Sequence, residues 1–376
     1  MLGLLGHVFA RVAATGDTSP PAAKPPEVVR CALAPLKISP LPCASAILIE
    51  AETGIVLYEQ NADELRGPAS LVKMMLQWIV FEGLSAGEFA LGDSVVTSAN
   101  ASTMGGSQVF LKHGEVQTLE SMMDAVIIAS ANDAAMAVAE YIAGSESAFV
   151  ARMNEEAARI GCTGTKFANV HGLDLRGRPR NVTTARDLAV IARHLVRHPK
   201  ALEISSTWRK PFRGGEFWLD NTNKLLRDFD GLDGLKTGWT PRAGGCFVGT
   251  AQREGVRLIA VVLRAPGGKG RFTVTARLLE AGYESGPRWV EVVRAGQVVP
   301  IAQGMPVAED PQTTARAAAW GTVRVLLEDG RTGSWRLRPH PELRAPLREG
   351  GELGYLDYRL DGRTVATVPA RVAKRT

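Results

Sequence analysis

Residues 68–81 read PASLVKMMLQWIVF, and this stretch decides the fold because it predicts a buried helix with polar groups at its start. The run is apolar all round, which is typical of a helix enclosed by other elements. Pro68 stands just outside the start, and Gly83 follows the apolar run. Ser70 is therefore expected in the first turn, with Lys73 one turn later on the same face.

The pair Ser70 and Lys73 is a candidate nucleophile with its base. A serine hydroxyl is a poor nucleophile unless a nearby base accepts its proton, and a lysine can do so only as a neutral amine. Burial and the positive end of the helix dipole both disfavour the ammonium form, so they lower the pKa of the lysine. Taken alone, the pattern is also typical of an N-cap serine followed by a surface lysine.

A second polar string, Ser130-Ala131-Asn132, lies between helical patterns over residues 119–129 and 134–143. On its own, such a string could be no more than caps and a turn. In a functional interpretation, both polar side chains face one cleft. Ser130 would then relay a proton to a leaving amine, and the Asn132 amide would hold a peptide group of a substrate.

A third string, Lys236-Thr237-Gly238, precedes a predicted hairpin with arms at 245–251 and 256–263. Gly238 leaves room where the edge of a strand would pair with an extended substrate. Lys236 and Thr237 offer a cation and a hydroxyl to a terminal carboxylate. The positive charge of Lys236 would also help to keep the base lysine neutral, because like charges disfavour each other. By itself, the string could equally be an ordinary strand end.

In this order, the three strings match the S-x-x-K, S-D-N and K-T-G set of penicillin-binding proteins and class A β-lactamases. Over roughly residues 45–370, the chain resembles a penicillin-binding D-alanyl-D-alanine carboxypeptidase of the low-molecular-mass type. Ala131 stands where that family usually has glycine, a departure that leaves both polar side chains in place. The other segments that carry the resemblance are Asn61-Ala62-Asp63, Val109-Phe110-Leu111-Lys112, Val170-His171-Gly172-Leu173-Asp174, Thr184-Ala185-Arg186-Asp187 and Gly270-Arg271.

The resemblance implies a serine peptidase that acts on the stem peptides of peptidoglycan. Ser70 attacks the carbonyl between two terminal D-alanines and forms an acyl-enzyme, while Lys73 takes the serine proton. Ser130, with Lys236, relays a proton to the departing D-alanine, and water then hydrolyses the acyl-enzyme. β-Lactams resemble D-Ala-D-Ala, so we expect them to acylate Ser70 and to inhibit the enzyme.

The resemblance also implies how the substrate is held. The backbone N–H groups of Ser70 and Trp239 resemble the family's oxyanion hole, which stabilises the charge of the tetrahedral intermediate. Asn132 binds a peptide group of the substrate. Thr237 and Arg271 hold the free carboxylate, although arginines in such a Gly-rich loop are commonly solvated.

The predicted fold is α+β. Residues 42–284 have strands at both ends and helices between them, which predicts an antiparallel sheet covered by helices, similar to that of β-lactamases and transpeptidases. The opening hairpin covers residues 46–49 and 55–58. Residues 285–376 change to short strands, loops and Asp-Gly turns, and they resemble the family's small β-rich second domain, which has no chemistry of its own.

Residues 1–41 are expected to be a disordered segment or a degenerate export signal. The first residues form a short apolar run without a basic start, and His7 and Arg11 interrupt it. A stretch rich in proline and alanine follows over residues 19–28 and is typical of disorder. Because the implied substrate lies outside the cytoplasm, we expect an exported protein of the periplasm or the cell envelope.

Composition limits the partners of the chain. Its 376 residues are 45% hydrophobic and 22% charged, with a net charge of +5, as in an ordinary globular chain of two domains. The four cysteines (Cys31, Cys43, Cys162 and Cys246) show no C-x-x-C and no metal-ligand spacing with histidine, so no metal or other cofactor is predicted. Cys31 and Cys43 could pair in an oxidising compartment, but the pairing is not deducible. No motif predicts nucleic-acid binding.

Membrane attachment has little support in the sequence. No run of 18 apolar residues occurs, so no spanning helix is predicted. Many members of the resembled family end in an amphipathic anchor helix, and the residues that end this sequence do not form one. We therefore do not expect stable membrane attachment.

Three alternative functions are compatible with parts of the pattern. A β-lactamase needs a carboxylate to activate the deacylating water, which class A enzymes carry in a Glu-x-x-Leu-Asn string after the second motif, and the sequence has no such string. A transpeptidase uses an amine acceptor in place of water, and sequence barely distinguishes it from a carboxypeptidase. A non-catalytic wall-binding module would predict a damaged motif, whereas Ser70, Lys73, Ser130 and Lys236 are all present.

Overall fold

Strands at both ends of a helical middle section form the larger part of the molecule. A computed structural model describes residues 24–299, 305–307, 310–315, 317–341 and 350–373. Its strands, in chain order, are β1 (Glu27–Cys31), β2 (Ser45–Glu50), β3 (Val56–Gln60), β4 (Ser94–Val96), β5 (Val116–Thr118), β6 (Arg209–Phe212), β7 (Phe217–Asp220), β8 (Leu232–Thr240), β9 (Gly244–Arg253), β10 (Val256–Ala265), β11 (Arg288–Val293), β12 (Met305–Val307), β13 (Asp310–Ala315), β14 (Ala317–Ala319), β15 (Thr322–Leu327), β16 (Ser334–Pro339), β17 (Glu352–Leu360) and β18 (Arg363–Val372). Its α-helices are α1 (Lys73–Ala86), α2 (Ala99–Ser102), α3 (Leu119–Ile127), α4 (Asn132–Ala143), α5 (Glu146–Arg159), α6 (Ala185–Leu195), α7 (Pro199–Ser206) and α8 (Gly270–Tyr283). None of these helices is both long and apolar enough to pass through a lipid bilayer.

The central sheet is antiparallel throughout, with the strand order β3-β2-β10-β9-β8. It contains both predicted hairpins, β2–β3 and β9–β10. Side chains of β10 alternate between two apolar cores: Ile259 and Val261 belong to one, and Leu258 and Ala260 belong to the other. Because successive side chains point to opposite faces, such a strand needs cover on both. Helix α6 packs on one face and α8 on the other, so the predicted α+β fold is confirmed.

Helix α1 is the buried helix that the sequence predicts, with two differences at its ends. The segment begins with a 3-10 turn over Ala69–Val72, and the α-helix itself starts at Lys73. The helix ends at Gly87, which has a φ of 73°. Gly83 does not end it, because Gly83 lies inside the helix where the ring of Phe89 fills the space of a side chain.

A second unit consists of strands alone in its described residues. Two of its sheets have the orders β14-β18-β17-β16 and β1-β15-β11. Its own apolar core includes Val325, Leu356 and Val368. The predicted turn at Asp361-Gly362 joins β17 to β18, with both residues at positive φ.

The N-terminal strand β1 pairs in parallel with β15. The expectation of disorder for residues 1–41 is therefore wrong for Glu27–Cys31, while residues 1–23 lie outside the described residues. Backbone hydrogen bonds to β15 hold this strand, and half-buried Val28 packs against the apolar core of the second unit. Its five residues, EVVRC, give no local sign of a partner that lies in the last quarter of the chain.

Cys31 and Cys43 are both free thiols. Cys31 lies beside Thr53, at the turn of the β2–β3 hairpin. Cys43 lies near the other end of β3, where its carbonyl accepts a 2.8 Å hydrogen bond from the Gln60 side chain. At about 3.3 Å per residue, the strand between residues 53 and 60 separates these two places by roughly 20 Å. A disulfide cannot span that distance, so the pairing considered from the sequence is wrong.

Candidate active site

Three separate parts of the chain bring the polar motif residues into one cleft. Ser70 lies on the 3-10 turn before α1, and Ser130 lies in the connection from α3 to α4. Lys236 lies on β8, the strand at the edge of the central sheet. Its Nζ donates a 2.8 Å hydrogen bond to Ser130 Oγ. The Nζ of Lys73 lies 3.2 Å from Ser70 Oγ, so each serine hydroxyl has its own lysine.

The amine of Lys73 is completely buried and is held from three sides. Besides Ser70 Oγ, it contacts Asn132 Oδ1 at 2.6 Å and the carbonyl oxygen of His171 at 3.0 Å. Desolvation, and then the nearby charge of Lys236, hold the pKa of Lys73 well below its ordinary value, and Asp133 acts in the opposite sense. A neutral amine has two N–H groups and one lone pair. The two fixed acceptors use the N–H groups and leave the lone pair to the serine hydroxyl, which is the arrangement of a base.

The second lysine is equally enclosed. Lys236 is 1% exposed and also donates a 3.0 Å hydrogen bond to the carbonyl oxygen of Thr237. Desolvation, followed by the charge of Arg271, lowers the pKa of Lys236 to about 7. Ser130 accepts a hydrogen bond from this lysine, so its own hydroxyl proton is free to be given to a third group. The Lys236–Ser130 pair can thus deliver a proton into the cleft.

Two close backbone contacts fix the position of the nucleophile. A Cβ on Gly238 would lie 3.0 Å from the carbonyl oxygen of Pro68 and 3.1 Å from the backbone nitrogen of Ser70, so β8 runs directly against the 3-10 turn. From the other side, a Cβ on Gly172 would lie 2.1 Å from the carbonyl oxygen of Ala69. Only glycine leaves room for these approaches. The backbone nitrogen of Ser70 therefore lies close to the strand along which a substrate would bind.

The remaining predicted binding residues lie around the same end of β8. Thr237 Oγ1 donates a 2.7 Å hydrogen bond to Thr222 Oγ1. Arg271 is in the first turn of α8 and half-buried, and its Nε has no hydrogen-bond partner among the described residues. With Lys236, it gives this end two cations and a hydroxyl, a suitable set for a carboxylate. The side chain of Trp239 is 57% exposed at the mouth of the cleft.

His171 supplies a backbone acceptor and no proton. Its ring is buried, and Nδ1 accepts a 3.0 Å hydrogen bond from the backbone N–H of Leu173. Desolvation, and then the charge of Lys73, lower the pKa of His171 to about 4, so the ring is neutral at physiological pH. Across the described ranges, no group of three His, Cys, Asp or Glu side chains is placed to hold a metal ion.

Sequence reasoning gave no role to two groups that support the site. The carbonyl of His171 fixes Lys73, and backbone acceptors of this kind carry no signal in a side-chain pattern. The carboxylate of Asp133, directly after the second motif, accepts hydrogen bonds from the backbone N–H groups of Val109 and Leu111. The sequence did contain a signal for this role, because Asp133 is an acid in the first turn of α4, which is mainly apolar.

Comparison with known proteins agrees with this geometry. Residues 35–267 match the family model described as D-alanyl-D-alanine carboxypeptidase, Peptidase_S11. The chain belongs to this family. It is similar to the D-alanyl-D-alanine carboxypeptidase DacF of Bacillus subtilis, with 34% identity over 334 residues that cover 86% of this chain and 83% of the relative. The resemblance inferred from the motifs, and with it a serine peptidase, is confirmed.

Solved structures extend the likeness to most of the chain. The D-alanyl-D-alanine carboxypeptidase DacD of Francisella tularensis matches with a TM-score of 0.74 and 26% identity, covering 91% of this chain and 95% of its own. Penicillin-binding protein D2 of Listeria monocytogenes, solved in an ampicillin-bound form, matches with a TM-score of 0.60 and 33% identity. That match covers 65% of this chain and 98% of the Listeria chain.

The close contact at Gly238 predicts a steric effect on acylation. Gly238→Ala places a methyl group about 3 Å from two backbone atoms of the 3-10 turn, so either the turn or β8 must move. We expect the second-order rate of acylation by a fluorescent penicillin to fall by about 100-fold, the typical effect of a shift of 1 Å in a reacting group. Gly92→Ala is the control, because a side chain there meets open space and its acylation rate should stay unchanged. A Gly238→Ala protein that folds and reacts at the normal rate would contradict the proposed contact.

The charge of Lys236 predicts a change in the pH dependence. Acylation requires neutral Lys73, so its rate rises with pH through the pKa of that lysine. Lys236→Gln removes a neighbouring positive charge, which makes the protonated form of Lys73 less unfavourable and raises its pKa. We therefore expect the low-pH limb of the acylation profile to move to higher pH, whatever the loss in absolute rate. Lys112→Gln is the control: Lys112 is exposed, so the acylation rate of this variant should rise at the same pH as in the wild type. If the rate of Lys236→Gln also rises at the wild-type pH, the charge of Lys236 does not affect the pKa of Lys73.

Proposed function

We propose that this protein is a serine-type D-Ala-D-Ala carboxypeptidase that removes the terminal D-alanine from peptidoglycan stem peptides through an acyl-enzyme on Ser70. The observation that carries the proposal is the completely buried amine of Lys73. It lies 3.2 Å from Ser70 Oγ and is held by two acceptors in the orientation of a base. The family to which the chain belongs has this activity as its description.

Acylation begins when the proton of Ser70 Oγ passes to Lys73 Nζ. The oxygen then bonds to the carbonyl carbon between the two D-alanines, and the carbonyl oxygen becomes an oxyanion. The backbone N–H groups of Ser70 and Trp239 are the proposed donors to that charge. Asn132 is the proposed partner of a peptide group. Its Oδ1 accepts from Lys73 and its Nδ2 donates one N–H to the carbonyl of Gly105, so its second N–H remains for the substrate.

Release of D-alanine needs a proton on its nitrogen as the C–N bond breaks. Ser130 gives its hydroxyl proton to this nitrogen and takes one from the Lys236 ammonium, to which it is hydrogen-bonded. Thr237 and Arg271 hold the carboxylate of the departing residue. Exchange with solvent then returns Lys73 to the neutral amine and Lys236 to the ammonium form. A water attacks the ester carbonyl carbon and gives one proton to Lys73 Nζ. The bond from that carbon to Ser70 Oγ breaks as Lys73 passes the proton to Oγ, and the shortened peptide leaves as the free acid.

The structure favours hydrolysis of peptides over rapid turnover of β-lactams. Among the described residues, no carboxylate is hydrogen-bonded to Ser70 or Lys73, so the water activation of class A β-lactamases has no equivalent here. Asp133 is fully engaged by backbone N–H groups. We propose that β-lactams form a persistent acyl-enzyme, as is consistent with the ampicillin-bound Listeria relative.

The substrate also indicates where the enzyme works. Peptidoglycan stem peptides lie outside the cytoplasm, so we propose that the protein acts in the cell envelope and, in a bacterium with two membranes, in the periplasm. The proposed chemistry lies entirely within residues 42–284. Residues 285–376 are proposed as a supporting domain, because none of the side chains that the structure describes there lines the cleft.

Substitution of the nucleophile tests the assignment. Wild-type protein should release D-alanine from diacetyl-Lys-D-Ala-D-Ala, and labelled penicillin should add to the proteolytic peptide that carries Ser70, as detected by mass spectrometry. Ser70→Ala should lose both reactions, by about four orders of magnitude or more, because the nucleophile is gone. Ser206→Ala, which removes another hydroxyl at the end of α7, should lose neither.

If Ser70→Ala keeps either reaction, the assignment is refuted. Comparison of D-alanine release with penicillin turnover in the same preparation separates a carboxypeptidase from a β-lactamase. Addition of an amine acceptor tests the remaining alternative, since a transpeptidase would form a new peptide bond in place of the free acid.

A further inference from the structure

Arginines gather at the turn that follows the catalytic strand. Arg242 is exposed at the tip of the turn between β8 and β9. Arg264 lies next to it, since its Cγ is 3.1 Å from the position of a Cβ on Gly244. A cavity of about 130 Å³ opens here, lined by Leu65, Arg66, Gly67, Arg242, Ala243 and Arg264. It has room for several waters or for a group of the size of a carboxylate.

This cavity lies at one end of the substrate path. The proposed site holds the terminal carboxylate at Thr237 and the carbonyl under attack at Trp239. A peptide that pairs with the edge of β8 continues from there toward Arg242, which lies three residues further along the chain, in the turn that follows the strand. The cavity wall also begins at Gly67, just before the 3-10 turn that carries Ser70. The residue of the stem peptide that precedes the two D-alanines is therefore directed to the arginine turn.

Few negative charges offset these arginines. Arg66 pairs with Glu64, and Asp174 accepts a 2.8 Å hydrogen bond from Thr240 Oγ1 at the base of the turn. Among the described residues, neither Arg242 nor Arg264 has an acidic partner within salt-bridge distance. Three exposed arginines lie on the loop that follows Asp174, namely Arg176, Arg178 and Arg180, and Arg180 lies 4.0 Å from the Asp174 carboxylate. The guanidinium groups of Arg242 and Arg264 therefore favour an anion and disfavour a cation.

We propose that the arginine turn, defined by Arg242 and Arg264, binds a free carboxylate on the side chain of the residue that precedes the two D-alanines. The enzyme then prefers stem peptides whose third residue has a long side chain ending in a carboxylate. A side chain that ends only in an ammonium group is disfavoured by repulsion. The inference rests on the proposed function, because that function sets the direction of the peptide along β8.

Three matched peptides test the preference. Each has the form acetyl-X-D-Ala-D-Ala, where X has a side chain of the same length that ends in a carboxylate, in its primary amide or in an ammonium group. Released D-alanine is measured at low and at high salt. We expect kcat/KM to be about fivefold higher for the carboxylate than for the amide, and lowest for the ammonium peptide, with the difference in KM. The differences in kcat/KM between the peptides should shrink at high salt, because salt screens the charges of the exposed Arg242 and Arg264.

Two variants assign the preference to the turn. In Arg242→Gln combined with Arg264→Gln, the ratio of kcat/KM between carboxylate and amide peptides should fall to about one. This ratio is insensitive to a general loss of activity, because both peptides are measured on the same protein. Arg363→Gln removes one exposed charge from the β17–β18 turn and should keep the wild-type ratio.

The outcomes separate this inference from the proposed function. Equal kcat/KM for the three peptides, together with normal D-alanine release, overturns the arginine turn as a subsite and leaves the carboxypeptidase intact. A carboxylate preference that survives in the double variant also overturns it, because another group must then bind the carboxylate. If no peptide releases D-alanine and penicillin does not acylate Ser70, the proposed function itself fails.

Discussion

The buried amine of Lys73 is the constraint on which the site depends. A charged ammonium group in this position would need water or a counter-charge in contact with it. The described oxygens within hydrogen-bond distance, on Ser70, Asn132 and His171, are all neutral, and the carboxylate of Asp133 acts only through space. The neutral form fits, because its two N–H groups meet two acceptors and its lone pair meets the hydroxyl of Ser70. Burial therefore does more than shift a pKa: it selects the protonation state and the direction of the lone pair together. A lysine at the same spacing on an exposed helix would have neither property.

Holding that amine requires an unusual backbone around it. Ala69, directly before the nucleophile, has a φ of 50°, and Ser130 has a φ of 61°, both in the left-handed region that residues with a Cβ seldom adopt. Each such residue costs of the order of 1 kcal/mol or more, and persists only where the surroundings determine it. Here the surroundings are the close contact of Gly172 with the Ala69 carbonyl on one side, and of Gly238 with the turn on the other. The strained backbone, the two glycines and the large apolar core thus together fix the position of Ser70 Oγ.

Much of this could be predicted from the sequence, because the motifs carry local signals. Spacing placed Ser70 and Lys73 on one face, and apolar alternation gave the hairpins β2–β3 and β9–β10. The rest depends on contacts between distant segments. The carbonyl of His171 reaches Lys73 from a loop about a hundred residues away, and a backbone oxygen has no residue type to reveal it. The pairing of β1 with β15 and the separation of Cys31 from Cys43 are likewise set by tertiary packing, which a local pattern does not contain.

The proposed mechanism predicts that the site handles a peptide and a β-lactam differently. When the D-Ala-D-Ala bond breaks, the departing residue leaves the space beside Ser130, Lys236 and Thr237, and water can enter it. When a β-lactam ring opens, the amine that leaves the carbonyl stays attached to the acyl group, and its carboxylate stays against the proposed binding residues Thr237 and Arg271. The space for water is then still filled. Since no carboxylate is hydrogen-bonded to Ser70 or Lys73 in the described part of the chain, no second base offsets this obstruction. The arrangement proposed for release of D-alanine therefore also predicts a long-lived acyl-enzyme with β-lactams.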